Sequence, residues 1–361
     1  MLTHPAAIYI AGWLPDGQRL LITRDVPGKH RQTIDVLDIE TGELITYAEW
    51  EESPGRPVWL SALKAVAYLT LVAEEGKEPP TRYHPELWIS YGSPQQAERL
   101  ATDADGPLVA DPDGKRLWYF LRSEPNRLQL CDVETRSPRG TLVDLAPLRY
   151  PKPELEWAMR DLELSFWAAR RPDGSQVLFY SQFWTFLLDV RSGRWCELEV
   201  GEHEPWMHIP PWPLLAQWSP DGRYVAFVTT DTLDTRLLST WLTILDVETG
   251  ERRTLSPGSE TELGRHYVTD MAWFPDSRYL VALGVVRMEE GVNKEGLFLV
   301  NAVTGESRRV LPEYEFGGGW DGRQLAWDPS GSFLAVYCPT SEEGRLCIVP
   351  VSPKGVEGKH P

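Results

Sequence analysis

The stretch EHEPWMH brings Glu202, His203, Glu204 and His208 into seven consecutive positions, and Arg265 and His266 follow in RHYVTD. Carboxylates and imidazoles this close are the groups that ligate metals or move protons. The spacing does not match a helical His-x-x-x-His pair, and Pro205, Pro210 and Pro211 prevent a helix there, so no metal site is assigned. Glu202, His208, Arg265 and His266 are kept instead as possible ligand-binding residues, should their two links meet. The stretch EFGGGWDG from Glu315 is glycine-rich but precedes a strand rather than a helix, which argues against a phosphate cradle. No Gly-x-Ser-x-Gly elbow occurs. No catalytic residue and no cofactor is assigned.

The elements that must position these residues are written in a repeat. AQWSPDGRYVAFV, AGWLPDGQRLLI, VADPDGKRLWYF, AARRPDGSQVLFY, MAWFPDSRYLVAL and LAWDPSGSFLAVY share an often aromatic lead-in, a Pro-Asp-Gly turn and a short apolar run. Proline presets the first corner of the turn, aspartate bonds local backbone, and glycine takes the left-handed conformation. Such a loop joins two antiparallel strands. Ser277 stands where the glycine belongs in one copy and is expected to carry some strain. A second turn, DIETG, DVETR, DVRSG, DVETG or NAVTG, lies downstream of most copies, between two more strands. Each repeat therefore has four strands.

The turn prolines Pro15, Pro112, Pro172, Pro220, Pro275 and Pro329 are separated by 97, 60, 48, 55 and 54 residues. The first gap holds a degenerate repeat, PVWLSALKAVAYLTLV with ELWISYGSPQQAERL. Seven units of about 50 residues fit the period of propeller blades. The reading is all-β: a single seven-bladed β-propeller of four-stranded antiparallel blades. The blades span approximately 6–47, 57–100, 107–145, 162–200, 214–256, 268–311 and 323–352. The segment near Met1 is expected to supply the outer strand of the last blade, because SPKGVEGKHP is a poor strand and an open edge would remain.

The paired Trp-x-Pro-Asp-Gly and Asp-x-x-x-Gly motifs resemble the TolB-type, WD-repeat-like blades of β-propeller proteins over nearly the whole chain. The resemblance implies the fold and leaves the function open, since such blades serve scaffolds, translocation factors and peptidase gating domains. TolB itself is secreted and carries a further α/β domain, and neither feature is read here. The Gly-His and Trp-Asp dipeptides of true WD repeats do not recur at blade spacing.

A net charge of -17 makes this an acidic protein that phosphate backbones and anionic lipid repel, so neither nucleic acid nor membrane is an expected partner. No apolar stretch approaches the ~20 residues of a membrane span. MLTHPAAIYIAGW lacks the basic region of a secretory signal. Cys131, Cys196, Cys338 and Cys347 show no Cys-x-x-Cys. They read as small buried hydrophobes in a reducing, cytoplasmic setting, although Cys338 and Cys347 flank one hairpin loop. Three asparagines against 30 prolines is a thermophile-like balance.

Function is expected on the dissimilar links that run from each outer strand to the next inner strand. Trp50, Tyr150, Trp206, Trp212, Tyr314 and Trp320 stand out there as a partner-binding set, with packing between blades the competing role for each. PELEWAMRD in the longest link suits a short helix. The first functional reading is a non-catalytic protein-interaction scaffold with an unidentified protein partner. The alternative is a small-molecule binding protein or enzyme with its site at the channel mouth.

Overall fold

In the computed structural model the described residues are 2–4, 9–26, 31–50, 57–73, 83–102, 104–121, 127–134, 137–138, 143–144, 167–180, 185–198, 212–230, 240–255, 261–265, 267–289, 292–312, 314, 316–317, 325–337 and 346–351. They form a seven-bladed β-propeller of antiparallel sheets, each built from strands consecutive in the chain except the last. Strand β1 (Leu2–His4) stands apart from the first blade, which holds β2 (Tyr9–Trp13), β3 (Arg19–Asp25), β4 (Gln32–Asp38) and β5 (Leu44–Trp50). The second blade holds β6 (Val58–Leu60), β7 (Ala65–Ala73), β8 (Tyr83–Ser90) and β9 (Ala97–Ala101). In the third, β10 (Asp105–Ala110), β11 (Arg116–Phe120) and β12 (Arg127–Asp132) are followed by two short outer pieces, β13 (Ser137–Pro138) and β14 (Val143–Asp144).

The fourth blade comprises β15 (Trp167–Arg170), β16 (Gln176–Tyr180), β17 (Thr185–Asp189) and β18 (Trp195–Glu197). The fifth comprises β19 (Trp212–Trp218), β20 (Tyr224–Thr230), β21 (Thr240–Asp246) and β22 (Arg252–Leu255). In the sixth, β23 (Tyr267–Trp273), β24 (Tyr279–Glu289), β25 (Val292–Asn301) and β26 (Ser307–Val310) are joined by β27 (Phe316–Gly317), which also pairs β25. The seventh takes β28 (Leu325–Trp327), β29 (Phe333–Tyr337) and β30 (Leu346–Pro350), with β1 as its fourth strand. Leu2 pairs Ile348 and His4 pairs Leu346, so the two ends of the chain share one blade.

The turns behave as their residues dictate. In the first blade the Gly17 amide donates to the Leu14 carbonyl at 3.0 Å, and the Asp16 carboxylate accepts from the Gln18 and Arg19 amides. Gly17 sits at φ 68°, in the left-handed region that suits glycine. Ser277 adopts φ 60° at the same turn position, and it has a compensating role. Its hydroxyl accepts the Asp221 amide of the neighbouring blade at 2.8 Å. At the second turn Asp38 accepts from the Glu40 and Thr41 amides, and Asn301 takes the same part with Val303 and Thr304. Both turn types follow odd-numbered strands of a blade, so they share one face of the ring. The links between blades emerge on the other, called here the loop face.

Apolar packing fills every junction between neighbouring blades. Along β16, Val177 and Phe179 face the third blade while Leu178 and Tyr180 face the fifth. A strand covered on both sides is apolar at every position, which is why QVLFY does not alternate. The last junction, between the first and seventh blades, is packed by Ile10, Leu20, Ile22, Ala335 and Ile348. The Trp13 indole fastens it by donating to the Ala326 carbonyl at 2.9 Å.

The cysteine reading is corrected in part. Cys347 is disulfide-bonded, whereas Cys131 and Cys196 are free. Pairing of Val336 with Cys347 brings the two strands of that hairpin together; Cys338 lies outside the described residues. No helix among the described residues is long and apolar enough to cross a membrane.

Candidate functional site at the loop face

The two faces differ chemically. On the turn face the aspartates are consumed by structure. Bonds from Thr41 hold the Asp38 carboxyl below the usual carboxylate range, and bonds from Ser192 do the same for Asp189. Groups engaged in this way have little left to offer a ligand.

Toward the loop face, three blades bury a carboxylate on the third strand. In the first, Asp35 accepts from Arg24 Nε, Thr33 Oγ1 and Thr46 Oγ1, each at 2.6 Å. In the second, Glu86 accepts from Arg99 Nη1 at 3.1 Å and Trp88 Nε1 at 3.2 Å, with His84 Nε2 at 3.6 Å. In the sixth, Glu295 is 1% exposed, and neither of its oxygens has a hydrogen-bond partner among the described residues. Burial pushes its carboxyl up to about 8, and the nearby Asp270 charge adds to the shift. Thr269 is its polar neighbour, but its Oγ1 closes no well-formed bond either. Asp270 accepts the Leu325 amide at 2.8 Å and thereby ties the head of β28 to the sixth blade. This cluster stands level with Tyr267, the first residue of β23, because Glu295 pairs Val285 and Val285 pairs Tyr267.

Of the residues singled out in the sequence, Arg265 closes a short 3-10 turn, Leu263–Arg265, directly before β23. Leu263 is buried there, and its amide donates to Ser307 Oγ at 2.7 Å, which pins this link to the outer strand. His266, Glu202 and His208 lie outside the described residues, as do Tyr150, Trp206, Trp320 and the helix expected from PELEWAMRD. Trp212 begins β19. Trp50 is buried and stacks on Tyr68 at 5.9 Å, the inter-blade packing role weighed for it. Tyr314 is exposed at 39%.

Sequence reasoning missed Glu295, Thr269 and Asp270. The usable signal was a charge inside an apolar strand, in NKEGLFLV and in VTDMAW. Among the described residues there is no group of three or more His, Cys, Asp or Glu that could hold a metal ion.

No family model and no curated protein matches the chain. Solved structures do match. An oligogalacturonate lyase in complex with manganese shares 16% identity and a TM-score of 0.61, over 98% of this chain and 91% of that one. The oligogalacturonate lyase of Vibrio parahaemolyticus shares 17% identity and a TM-score of 0.59, over 98% and 92%. The Cps50 (Swd1) propeller domain of Myceliophteria thermophila shares 13% and 0.58, over 98% and 99%. TolB structures are also among the matches. At these identities the likeness speaks for the propeller fold. It also corrects the first functional reading. Two of these neighbours are lyases by name, so the non-catalytic scaffold is withdrawn as the first reading.

Proposed function

We propose that the protein binds a small molecule, and acts on it, at the channel mouth on the loop face. The observation that carries this reading is the asymmetry of the two faces. Turn-face aspartates such as Asp38 and Asp189 are held by bonds from their own turns, and Asp111 and Asp246 by arginines, while the loop-face end of the sixth blade buries the Glu295 carboxyl without a hydrogen-bond partner among the described residues. Such groups cluster at functional sites. Arg265 enters the same blade head, and the neighbouring links carry His266, Glu202 and His208. Their assigned parts are an anion contact for Arg265 and proton transfer for the imidazoles and Glu202.

The lyase neighbours make an oligosaccharide the first class to try. A net charge of -17 disfavours an anionic ligand anywhere but at a locally basic point. The panel therefore contains both oligogalacturonates and neutral oligosaccharides. Elimination from a uronate chain leaves a double bond conjugated to the carboxylate, which is followed by ultraviolet absorbance. Product formed by the wild type and lost in Arg265→Ala or His266→Ala supports the reading. The absence of turnover, with no shift in melting temperature for any saccharide, overturns it. Cytoplasmic residence belongs with this proposal; disulfide-bonded Cys347 argues against it, and fractionation of the native host decides between them.

A further inference from the structure

Asp35, Glu86 and Glu295 occupy comparable places in three blades, and their surroundings differ in one respect. Arg24 neutralises Asp35 and Arg99 neutralises Glu86. Among the described residues no cation pairs with Glu295, and strand alternation explains this for its neighbours on the sixth blade. Leu297 and Leu299 pack toward the seventh blade, so Glu295, two residues earlier on β25, faces the same way. Lys294 is its immediate neighbour and takes the opposite face. Arg309 also belongs to that opposite face, since its Nε lies 3.0 Å from where a Cβ on Gly296 would stand.

Among the described residues the groups that face Glu295 are few. From β23 come Thr269 and Asp270, from β27 the buried Phe316, and from the seventh blade the apolar wall of Leu325 and Val336 together with disulfide-bonded Cys347. The one charged group among them, Asp270, has the same sign as an ionised Glu295. Asp270 is also the residue whose carboxylate receives the Leu325 amide and so holds the seventh blade's inner strand against the sixth.

We propose that Glu295 is a proton site that governs closure of the sixth blade onto the seventh. With its proton, the carboxyl is a neutral filler of the junction. Without it, a second buried negative charge stands beside Asp270, and water can relieve it only if the junction opens and the bond from Leu325 to Asp270 gives way. The device shares Glu295 with the ligand reading but needs no ligand, so its pH test can fail or succeed independently of the saccharide assay.

The sign follows from proton binding. The folded chain keeps this proton to about 8, whereas the unfolded chain releases it near the ordinary 4.5. Between those values the folded state binds more protons, so this group's contribution to stability is fully present below 4.5 and is lost as pH rises.

The test compares wild type and Glu295→Gln by thermal unfolding from pH 5 to pH 9, together with amide exchange at Leu325. The wild type should lose several degrees more than the variant over that range, with the two converging at the acid end. Protection at Leu325, corrected for the intrinsic pH dependence of exchange, should fall on the order of tenfold in the wild type and stay level in the variant. Asp270→Asn should lower the pH to which Glu295 keeps its proton and shrink the stability lost between pH 5 and pH 9, because the neighbouring charge is gone. Should Glu295→Gln fold poorly, Glu295→Met supplies a second uncharged side chain for the same comparison. Parallel pH profiles for wild type and either uncharged variant, with unchanged exchange at Leu325, would overturn the proposal.

Discussion

The indole of Trp273 donates to the main-chain carbonyl of Gln217, 3.1 Å away on the neighbouring inner strand, and the Gln217 side-chain amide donates back to the Met271 carbonyl at 2.5 Å. The aromatic lead-in of the repeat is thus a stitch between blades. Trp13 donates to Ala326 and Trp218 to Ala169 in the same way. In the fourth blade Arg170 takes this position and donates to the Ala110 carbonyl. Trp327, in the seventh, instead sets its ring edge-on to Phe274 at 4.9 Å.

Trp273→Phe keeps most of the packing and leaves the Gln217 carbonyl without this donor. A lost buried hydrogen bond costs on the order of 1–2 kcal/mol. Chemical denaturation should show a lower midpoint with an unchanged slope, whereas an unchanged midpoint would deny the stitch its energetic role.

Removing residues 1–5 deletes β1 and uncovers the edge of β30. The melting temperature should fall by several degrees, and an open edge should make the protein aggregate more readily on heating. Scanning calorimetry with light scattering reads both.

Ser277 separates two opposing effects. Glycine would relieve its left-handed backbone but would lose the hydroxyl that accepts the Asp221 amide. Ser277→Gly should therefore be close to neutral, with changes of about 1 kcal/mol offsetting each other. Ser277→Ala keeps the strain, loses the bond, and should destabilise by about 1 kcal/mol. Ser277→Ala as stable as the wild type would show that the hydroxyl contributes nothing, and equal stability of the two variants would show that the left-handed backbone carries no strain.

The turn aspartates set an acid limit. Asp38 and Asp189 hold their protons less tightly folded than unfolded, so their stabilisation is present above the ordinary carboxylate value and is lost as pH falls. A double variant, Asp38→Asn with Asp189→Asn, keeps the amide-accepting geometry that Asn301 shows. It should be slightly less stable than the wild type near neutrality, and the gap should close as pH falls below the ordinary carboxylate range. A gap independent of pH would assign the difference to geometry.

Thiol titration of the unfolded protein should count two reactive cysteines before reduction and four after it, given free Cys131 and Cys196 and disulfide-bonded Cys347. Four at the outset would remove the disulfide.

The propeller was legible because its code is local. Pro-Asp-Gly and Asp-x-x-x-Gly each specify a hairpin within a few residues, and the long gap after Pro15 revealed a repeat whose turn has lost that chemistry. There, Lys64 takes φ 50° without a glycine. What escaped the sequence depends on neighbours that the chain brings together from afar. Trp50 reads like an exposed aromatic until Tyr68 of the next blade covers it. Glu295 reads like any strand glutamate until alternation turns its cations to the other face. The loops that carry Glu202, His208 and His266 share no pattern from blade to blade, so no repeat logic positions them.

Hydrogen exchange mapped across both faces, with and without the tightest-binding saccharide of the panel, tests the central claim most directly. The account predicts protection confined to the loop-face heads of β23 and β28 and to the link between β18 and β19, with the Pro-Asp-Gly turns unchanged. Protection on the turn face, or none anywhere at saturating ligand, would contradict it.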